Sequence, residues 1–116
     1  PLKVSGAFHS PLMASAQAKM ALELQKVKIQ RARIPVVANI HTRYVQEPEE
    51  IKNALLAQLT GPVRWTESMN KLLRDGVEEF YEVGPGKVIA GLMRRIDPVK
   101  TVKSLETVQS LEAVLS

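Results

Sequence analysis

The apolar residues that follow Pro11 recur at intervals of three and four positions, at Leu12, Met13, Ala16, Met20, Leu24 and Val27. This spacing predicts one amphipathic helix of about 20 residues that ends near Arg31. Ser10 is suited to the N-cap of that helix, and Pro11 is suited to its first turn. The residues before it, 2–8, are mostly apolar or small and predict a short strand.

A nearly continuous apolar run at 34–40 predicts a second strand, since a strand of a parallel sheet is buried on both faces. We expect a loop over 41–48. Helices are predicted at 48–59 and at about 62–75. Gly61 separates these two helices, because glycine suits the position just after a helix.

The remainder of the chain continues the alternation of predicted strands and helices. Its pattern predicts a strand at 77–83, a tight turn at 84–86, a helix at 87–96, a strand at 101–105 and a final helix at about 107–115. Strands that alternate with helices indicate an α/β fold with a mostly parallel sheet flanked by helices. Because the chain offers only three or four strands, we expect partner strands outside its 116 residues.

The net charge of +4 is unevenly distributed. Residues 1–43 carry seven lysines and arginines against one acid, whereas the remainder carries nine basic and eleven acidic residues. This basic part indicates either an anionic partner or an exposed helix face with cations near its C-terminus. Nucleic acid is disfavoured as that partner, because no aromatic side chain lies among the cations of residues 19–43 to stack on bases.

Several site classes are excluded or disfavoured by the residue types present. The chain contains no cysteine, which excludes disulfides, cysteine nucleophiles and thiolate metal sites. His9 and His41 are far apart in sequence and lack the spacing of a zinc motif, so we expect no metal site. No apolar run approaches the roughly 20 residues that a membrane-spanning helix needs, so we expect no membrane partner.

The glycine-rich segment at 84–87, Gly-Pro-Gly-Lys, precedes a predicted helix N-terminus. Backbone amides at such a position can bind a phosphate. The segment lacks the rest of the phosphate-loop pattern, and Pro85 has no backbone N–H to donate. A structural strand-to-helix turn is therefore the favoured interpretation.

His9 lies at the predicted junction between a strand and a helix. Sites in open α/β sheets gather at the carboxyl ends of strands. A histidine there can take a proton from a serine hydroxyl when a second group orients its ring. The chain contains no Gly-x-Ser-x-Gly motif. The residues alone therefore leave His9 as either a base without its nucleophile or an ordinary strand-end residue.

Four segments carry a resemblance to a known family. The segment around His9 resembles the histidine motif of the malonyl-CoA:acyl carrier protein transacylases, the acyltransferases of fatty acid synthesis. Three further segments are similar to this family in the same order, and together the four span nearly the whole chain. In sequence letters the four are SGAFHSPLM (5–13), IPVVAN (34–39), QLTGPVRW (58–65) and YEVGPGKV (81–88).

The resemblance implies roles for three residues. His9 matches the catalytic histidine, a general base that activates a serine and then donates a proton to the leaving thiol of coenzyme A. Gln58 matches the position whose backbone carbonyl holds the histidine ring in place. Phe8 matches the position that reads the acyl chain, and its presence there favours malonyl over methylmalonyl.

The resemblance also implies an architecture. Residues 1–116 would be the C-terminal part of the catalytic domain, with an α/β-hydrolase-like core. The nucleophile-bearing N-terminal part, which includes the serine, the arginine for the malonyl carboxylate and the oxyanion hole, would be absent. The ferredoxin-like subdomain would be absent too. We therefore expect the chain alone to be inactive.

For the complete enzyme, the resemblance implies ping-pong transfer of malonyl from malonyl-CoA to the phosphopantetheine thiol of acyl carrier protein. The expected partners are malonyl-CoA, acyl carrier protein and the N-terminal part of the same enzyme. No metal or redox cofactor is expected, and the expected location is cytoplasmic. One alternative is an inactive C-terminal fragment or interaction module of a related acyltransferase or polyketide synthase domain. Another, which the aromatic content disfavours, is a basic nucleic-acid-binding domain.

Overall fold

The computed structural model describes residues 6–115, and the chain divides between Ser68 and Met69 into two compact units. The helices are α1 (Ala14–Lys26), α2 (Pro48–Thr60), α3 (Trp65–Arg74), α4 (Val88–Ile96) and α5 (Val108–Leu115). The strands are β1 (Val36–Ala38), β2 (Arg43–Val45), β3 (Phe80–Val83) and β4 (Val102–Leu105). Within residues 6–115, no helix is long and apolar enough to cross a membrane.

The start of the first unit differs from the sequence-based expectation. Residues 6–8 form a bend and a turn, so the predicted strand at 2–8 is wrong in this part, and its first four residues lie outside the described range. A 3₁₀ turn, Pro11–Met13, precedes α1. Ser10 does not cap the helix, because its hydroxyl donates to the Ala7 carbonyl at 2.7 Å and thereby closes the preceding turn.

Helix α1 ends at Lys26, about five residues before the predicted end near Arg31. Val27 is already extended, with φ −91° and ψ 126°. Beyond Leu24, apolar residues recur two positions apart at Val27 and Ile29 and again at Ala32 and Ile34, which is the period of an extended chain rather than of a helix. The helix therefore ends where the three-and-four spacing ends.

The apolar run at 34–40 contributes β1, which pairs with β2 in an antiparallel hairpin, with Val36 opposite Val45. The expectation of a buried parallel strand is therefore wrong for the described pairing, and Val36 is 54% exposed. The expected loop at 41–48 contains β2. A four-residue turn joins the strands, and its last residue, Thr42, has φ 57°, a left-handed conformation that reverses the chain direction within this short connection.

Helix α2 begins where the sequence predicts. Pro48 lies in its first turn, and the Glu50 carboxylate accepts the backbone N–H of Glu47 at 3.4 Å, which forms one half of a capping box. Helix α1 and the 3₁₀ turn both pack against α2. This packing brings the segment that carries His9 to the C-terminal turn of α2.

The second unit contains a parallel pair of strands, with β3 beside β4 and Phe80 opposite Val102. Helix α4 connects the two strands in sequence, as expected for a β-α-β unit. The side chain of Met93 on α4 is 1% exposed and belongs to the apolar core. The α/β class predicted from the sequence is confirmed, although its sheet here consists of two separate pairs.

The turn between β3 and α4 requires its glycines. Gly84 and Gly86 have φ values of 130° and 92°, which residues with a β-carbon rarely adopt. The Glu82 carboxylate accepts the backbone N–H groups of Ile89 and Ala90, each at 2.9 Å. A protein carboxylate thus occupies the amides that a phosphate would need, which supports the structural interpretation of this turn.

Candidate active site

His9 lies on the turn that precedes the 3₁₀ segment, and its side chain is exposed. Its backbone is left-handed, with φ 61°. Such a conformation is uncommon for a residue with a β-carbon and persists only when the surroundings hold it. In this molecule, the contact that holds the ring comes from helix α2.

The imidazole Nδ1 of His9 lies 2.8 Å from the backbone carbonyl oxygen of Gln58, a residue 49 positions away. A carbonyl oxygen only accepts, so Nδ1 carries the proton and donates it. The neutral ring then has an unprotonated Nε2. The contact therefore fixes both the orientation and the tautomer of a histidine that can act as a base.

The side chain of Gln58 stabilises the same turn. Its amide nitrogen donates to the carbonyl oxygens of Gly61 at 3.2 Å and of Pro62 at 3.1 Å. The Gln58 amide nitrogen also lies 3.5 Å from His9 Nδ1. Because Nδ1 carries a proton that it donates to the Gln58 carbonyl, it cannot accept a hydrogen bond from this amide. The residue therefore closes the end of α2 with its side chain while its main chain faces His9.

Gly61 allows the chain to pass very close to the hairpin turn. A β-carbon at this position would overlap Cδ1 of Ile40 and lie 3.0 Å from the carbonyl oxygen of Ala57. Three residues later, the backbone N–H of Arg64 donates to the carbonyl of Asn39 at 3.0 Å. The hairpin turn thus supports the segment whose carbonyls bind the Gln58 side chain.

Phe8 directly precedes His9, and its side chain is 66% exposed. Its ring lies over Gly6, where an added β-carbon would be 2.6 Å from the ring edge. The structure places Phe8 next to His9 along the chain, with an accessible aromatic face. Its predicted role in acyl selection stays a prediction.

An apolar groove lies beside Gln58 in the first unit, with a volume of about 220 Å³. Strands β1 and β2 and helix α2 form it, and its lining includes Val36, Val45, Ile51, Leu55 and Gln58. Its wall is almost entirely nonpolar. The groove gives Gln58 a neighbouring surface on which other apolar groups can pack.

His41 lies in the hairpin turn, and its Nδ1 accepts the backbone N–H of Arg43 at 3.2 Å. Partial burial lowers the pKa of His41 below its usual value of 6.5, and the positive charges of Arg43 and Arg64 lower it further, while Glu50 opposes them. A protonated ring could not accept this hydrogen bond. These contacts give His41 a structural role in the turn.

We expect His41 to titrate below pH 6.5 in the folded chain, as measured by NMR of its ring protons. The unfolded state binds the extra proton more readily, so stability rises with pH through this window and is lost as the pH falls through the folded pKa. Arg43→Leu should raise the pKa of His41, because it removes the positive charge that lowers this pKa most. A pKa at or above 6.5 in the unsubstituted chain would contradict this prediction.

Two basic residues within the segment 19–43 have acidic neighbours. Lys26 pairs with Glu23 at 2.8 Å, and Arg31 pairs with Glu47 at 2.7 Å. All four side chains are largely exposed, so these ion pairs are weak in water. The basic surface is therefore partly neutralised.

Gln17 on α1 was not identified by sequence reasoning. Its side chain is part-buried and donates hydrogen bonds to helix α2. The signal was a polar residue within the apolar stripe, four positions after Met13 and three before Met20. A glutamine at such a position indicates a buried polar contact rather than a solvated face.

Comparison with known proteins identifies relatives along the whole chain. No family model matches. The chain is 44% identical over 97 residues to the malonyl CoA-acyl carrier protein transacylase of Bacillus subtilis, a match that spans 84% of this chain and 31% of that protein. It is 40% identical over 115 residues to the transacylase of the same name from Escherichia coli K12, which spans 99% of this chain and 37% of that protein.

Solved structures of malonyltransferases also superpose on nearly the whole chain. An acyl carrier protein S-malonyltransferase from Vibrio cholerae superposes with a TM-score of 0.91 at 39% identity, over 98% of this chain and 37% of that one. A malonyl-transacylase in complex with its type II PKS acyl-carrier protein superposes with a TM-score of 0.91 at 36% identity, over 99% of this chain and 37% of that one. The chain thus spans about a third of the length of the proteins it resembles.

Proposed function

Because the chain belongs to the malonyl CoA-acyl carrier protein transacylase family, we propose that it contributes the histidine base to an enzyme of fatty acid biosynthesis. That enzyme transfers malonyl from malonyl-CoA to the phosphopantetheine thiol of acyl carrier protein. The observation that carries the proposal is the 2.8 Å contact between His9 Nδ1 and the Gln58 carbonyl. It leaves Nε2 of an exposed histidine free to accept a proton.

The proposed first half-reaction uses His9 as base and then as acid. Nε2 takes the proton from a serine hydroxyl, and the serine oxygen attacks the thioester carbonyl of malonyl-CoA. When the tetrahedral intermediate collapses, the carbon–sulfur bond breaks, and the departing thiol of coenzyme A receives the proton from His9. Malonyl-serine remains.

In the second half-reaction His9 again acts first as base and then as acid, now with the thiol of acyl carrier protein as the nucleophile. His9 takes the proton from the phosphopantetheine thiol of acyl carrier protein, and the sulfur attacks malonyl-serine. The serine oxygen then leaves and recovers its proton from His9. In both halves the Gln58 carbonyl stabilises the imidazolium by accepting a hydrogen bond from its Nδ1–H, as the carboxylate of a Ser-His-Asp triad does. Nucleophilic attack together with proton transfer accounts for this chemistry, so the proposal requires no metal or redox cofactor.

We propose that residues 1–116 are the C-terminal part of the acyltransferase domain, and that the serine lies on an N-terminal part. The shares of 31% and 37% of the relatives' lengths support this division. Exposed apolar side chains support it as well, among them Val36 at 54% on β1 and Val83 at 80% on β3. Apolar side chains so exposed at strands are suited to burial against further protein. In this proposal the chain alone is inactive, and the complete enzyme is cytoplasmic.

Phe8 is proposed to contact the acyl group. Its position next to His9 and its exposure of 66% support this role. A bulky ring there would leave room for malonyl and would crowd the extra methyl of methylmalonyl. Discrimination by one methyl group in a pocket is about 10- to 200-fold at most.

The test is malonyl transfer from malonyl-CoA to acyl carrier protein, measured by mass spectrometry of the carrier. It compares this chain alone, the complete enzyme that contains it, and the complete enzyme supplied with methylmalonyl-CoA. We expect transfer by the complete enzyme with malonyl-CoA and none by the chain alone. A folded complete enzyme that transfers no malonyl would refute the proposal and would favour an inactive interaction module.

A further inference from the structure

The contact between His9 and Gln58 joins two segments that are 49 positions apart in sequence. His9 lies on an exposed turn, so the turn by itself does not determine how far its ring lies from helix α2. That distance depends on how α1, which follows the turn, is held against α2. The hydrogen bonds that hold α1 to α2 next to Gln58 therefore affect this distance.

Gln17 makes this connection. Its amide nitrogen donates to the carbonyl oxygen of Leu56 at 2.7 Å and to the hydroxyl of Thr60 at 3.2 Å. These acceptors are two positions before and two positions after Gln58 on the same helix. An amide nitrogen carries two protons, so both bonds form together. One side chain on α1 thus bonds to the helix on both sides of the carbonyl that orients His9.

The residues that form these hydrogen bonds are partly shielded from water. Gln17, Leu56 and Thr60 are all half-buried. Removing the donor takes away the contact that joins the Leu56 carbonyl and the Thr60 hydroxyl of α2 to α1. Helix α1 could then relax away from the last turn of α2. A shift of about 1 Å at a catalytic contact can lower a rate by up to about 100-fold.

We propose that Gln17 is a positioning residue that sets the distance and angle between the His9 ring and the Gln58 carbonyl. This inference rests on the proposed function for its kinetic consequence. The geometric part does not depend on that function, because the hydrogen bond of His9 can be observed directly. Gln17 itself contacts neither substrate nor the reacting atoms.

The test uses the complete enzyme with Gln17→Met, which keeps the length of the side chain and removes its donors. We expect kcat for malonyl transfer to fall by about tenfold, with little change in the KM for malonyl-CoA. The Nδ1–H signal of His9, followed by NMR with ¹⁵N-labelled histidine, should move upfield and exchange faster with water. Gln25→Met, at an exposed glutamine of the same helix, should change neither quantity.

Two substitutions of Thr60 provide a second test. Thr60→Ser keeps the hydroxyl and should retain the Nδ1–H signal of His9. Thr60→Val removes the hydroxyl and should shift this signal in the same direction as Gln17→Met does. An unchanged His9 signal in folded Gln17→Met enzyme would overturn the inference, even if stability fell. If the unsubstituted enzyme transferred no malonyl, the proposed function would fail, while the His9 signal would still decide the role of Gln17.

Discussion

Replacing His9 by alanine is expected to lower malonyl transfer by the complete enzyme about 10²- to 10⁴-fold, the usual contribution of a general base. The substitution removes the only group of the proposed site that both takes the serine proton and returns it to the leaving thiol. His9 is exposed and forms no part of the apolar core, so the free energy of unfolding should change by less than about 1 kcal/mol.

The matched control is His41→Ala, which removes the other histidine of the chain. His41 accepts a backbone hydrogen bond within the hairpin turn, so its loss should affect stability more than rate. Formation of malonyl-enzyme in a single turnover separates the two half-reactions, and His9→Ala should slow both. If His9→Ala retained more than half of the unsubstituted activity, His9 would be an ordinary turn residue.

The second large effect is expected at Gly61. Gly61→Ala places a β-carbon against Cδ1 of Ile40 and the carbonyl of Ala57, and overpacking of this kind costs about 1–3 kcal/mol. The Ile40 side chain can rotate away, but the Ala57 carbonyl belongs to the backbone of α2, so the 61–62 segment should shift slightly. Its carbonyls would then hold weaker hydrogen bonds to the Gln58 side chain, so malonyl transfer should fall as well.

Two comparisons make the Gly61 prediction specific. Gly91→Ala, inside α4, meets no described atom within 4 Å, and it should stabilise the chain by about 0.5–1 kcal/mol. Combining Gly61→Ala with Ile40→Val removes the overlapping methyl group and should restore part of the lost stability and activity. Denaturant unfolding measures the stabilities. Equal effects of Gly61→Ala and Gly91→Ala would show that close approach at Gly61 is unimportant.

The predicted and observed elements agree best where the signals are local. Helix α2 was placed correctly because Pro48 and the surrounding glutamates act within one turn of its start. The turn before α4 was recognised because its glycines meet a backbone requirement at their own positions. The parallel pairing of β3 with β4 followed from the strand–helix–strand order of the second unit.

The candidate site was predicted by a different kind of reasoning. The residues alone left His9 as either a base or a strand-end residue. The family resemblance associated it with the backbone carbonyl of Gln58, and the structure brings these two groups to 2.8 Å. Their catalytic roles await the kinetic tests. Gln17 was missed because its acceptors lie on another helix, about 40 residues further along the chain.

The sequence by itself determined the α/β class, the order of its helices, the start of α2 and the glycine turn before α4. These features depend on side chains that act within a few residues of one another. Only the tertiary structure decided that β1 pairs with β2 in a hairpin, that His9 adopts φ 61°, and that Gln17 bonds beside Gln58. Each of these depends on contacts between segments distant in sequence or on a backbone conformation that such contacts hold, which periodicity does not encode.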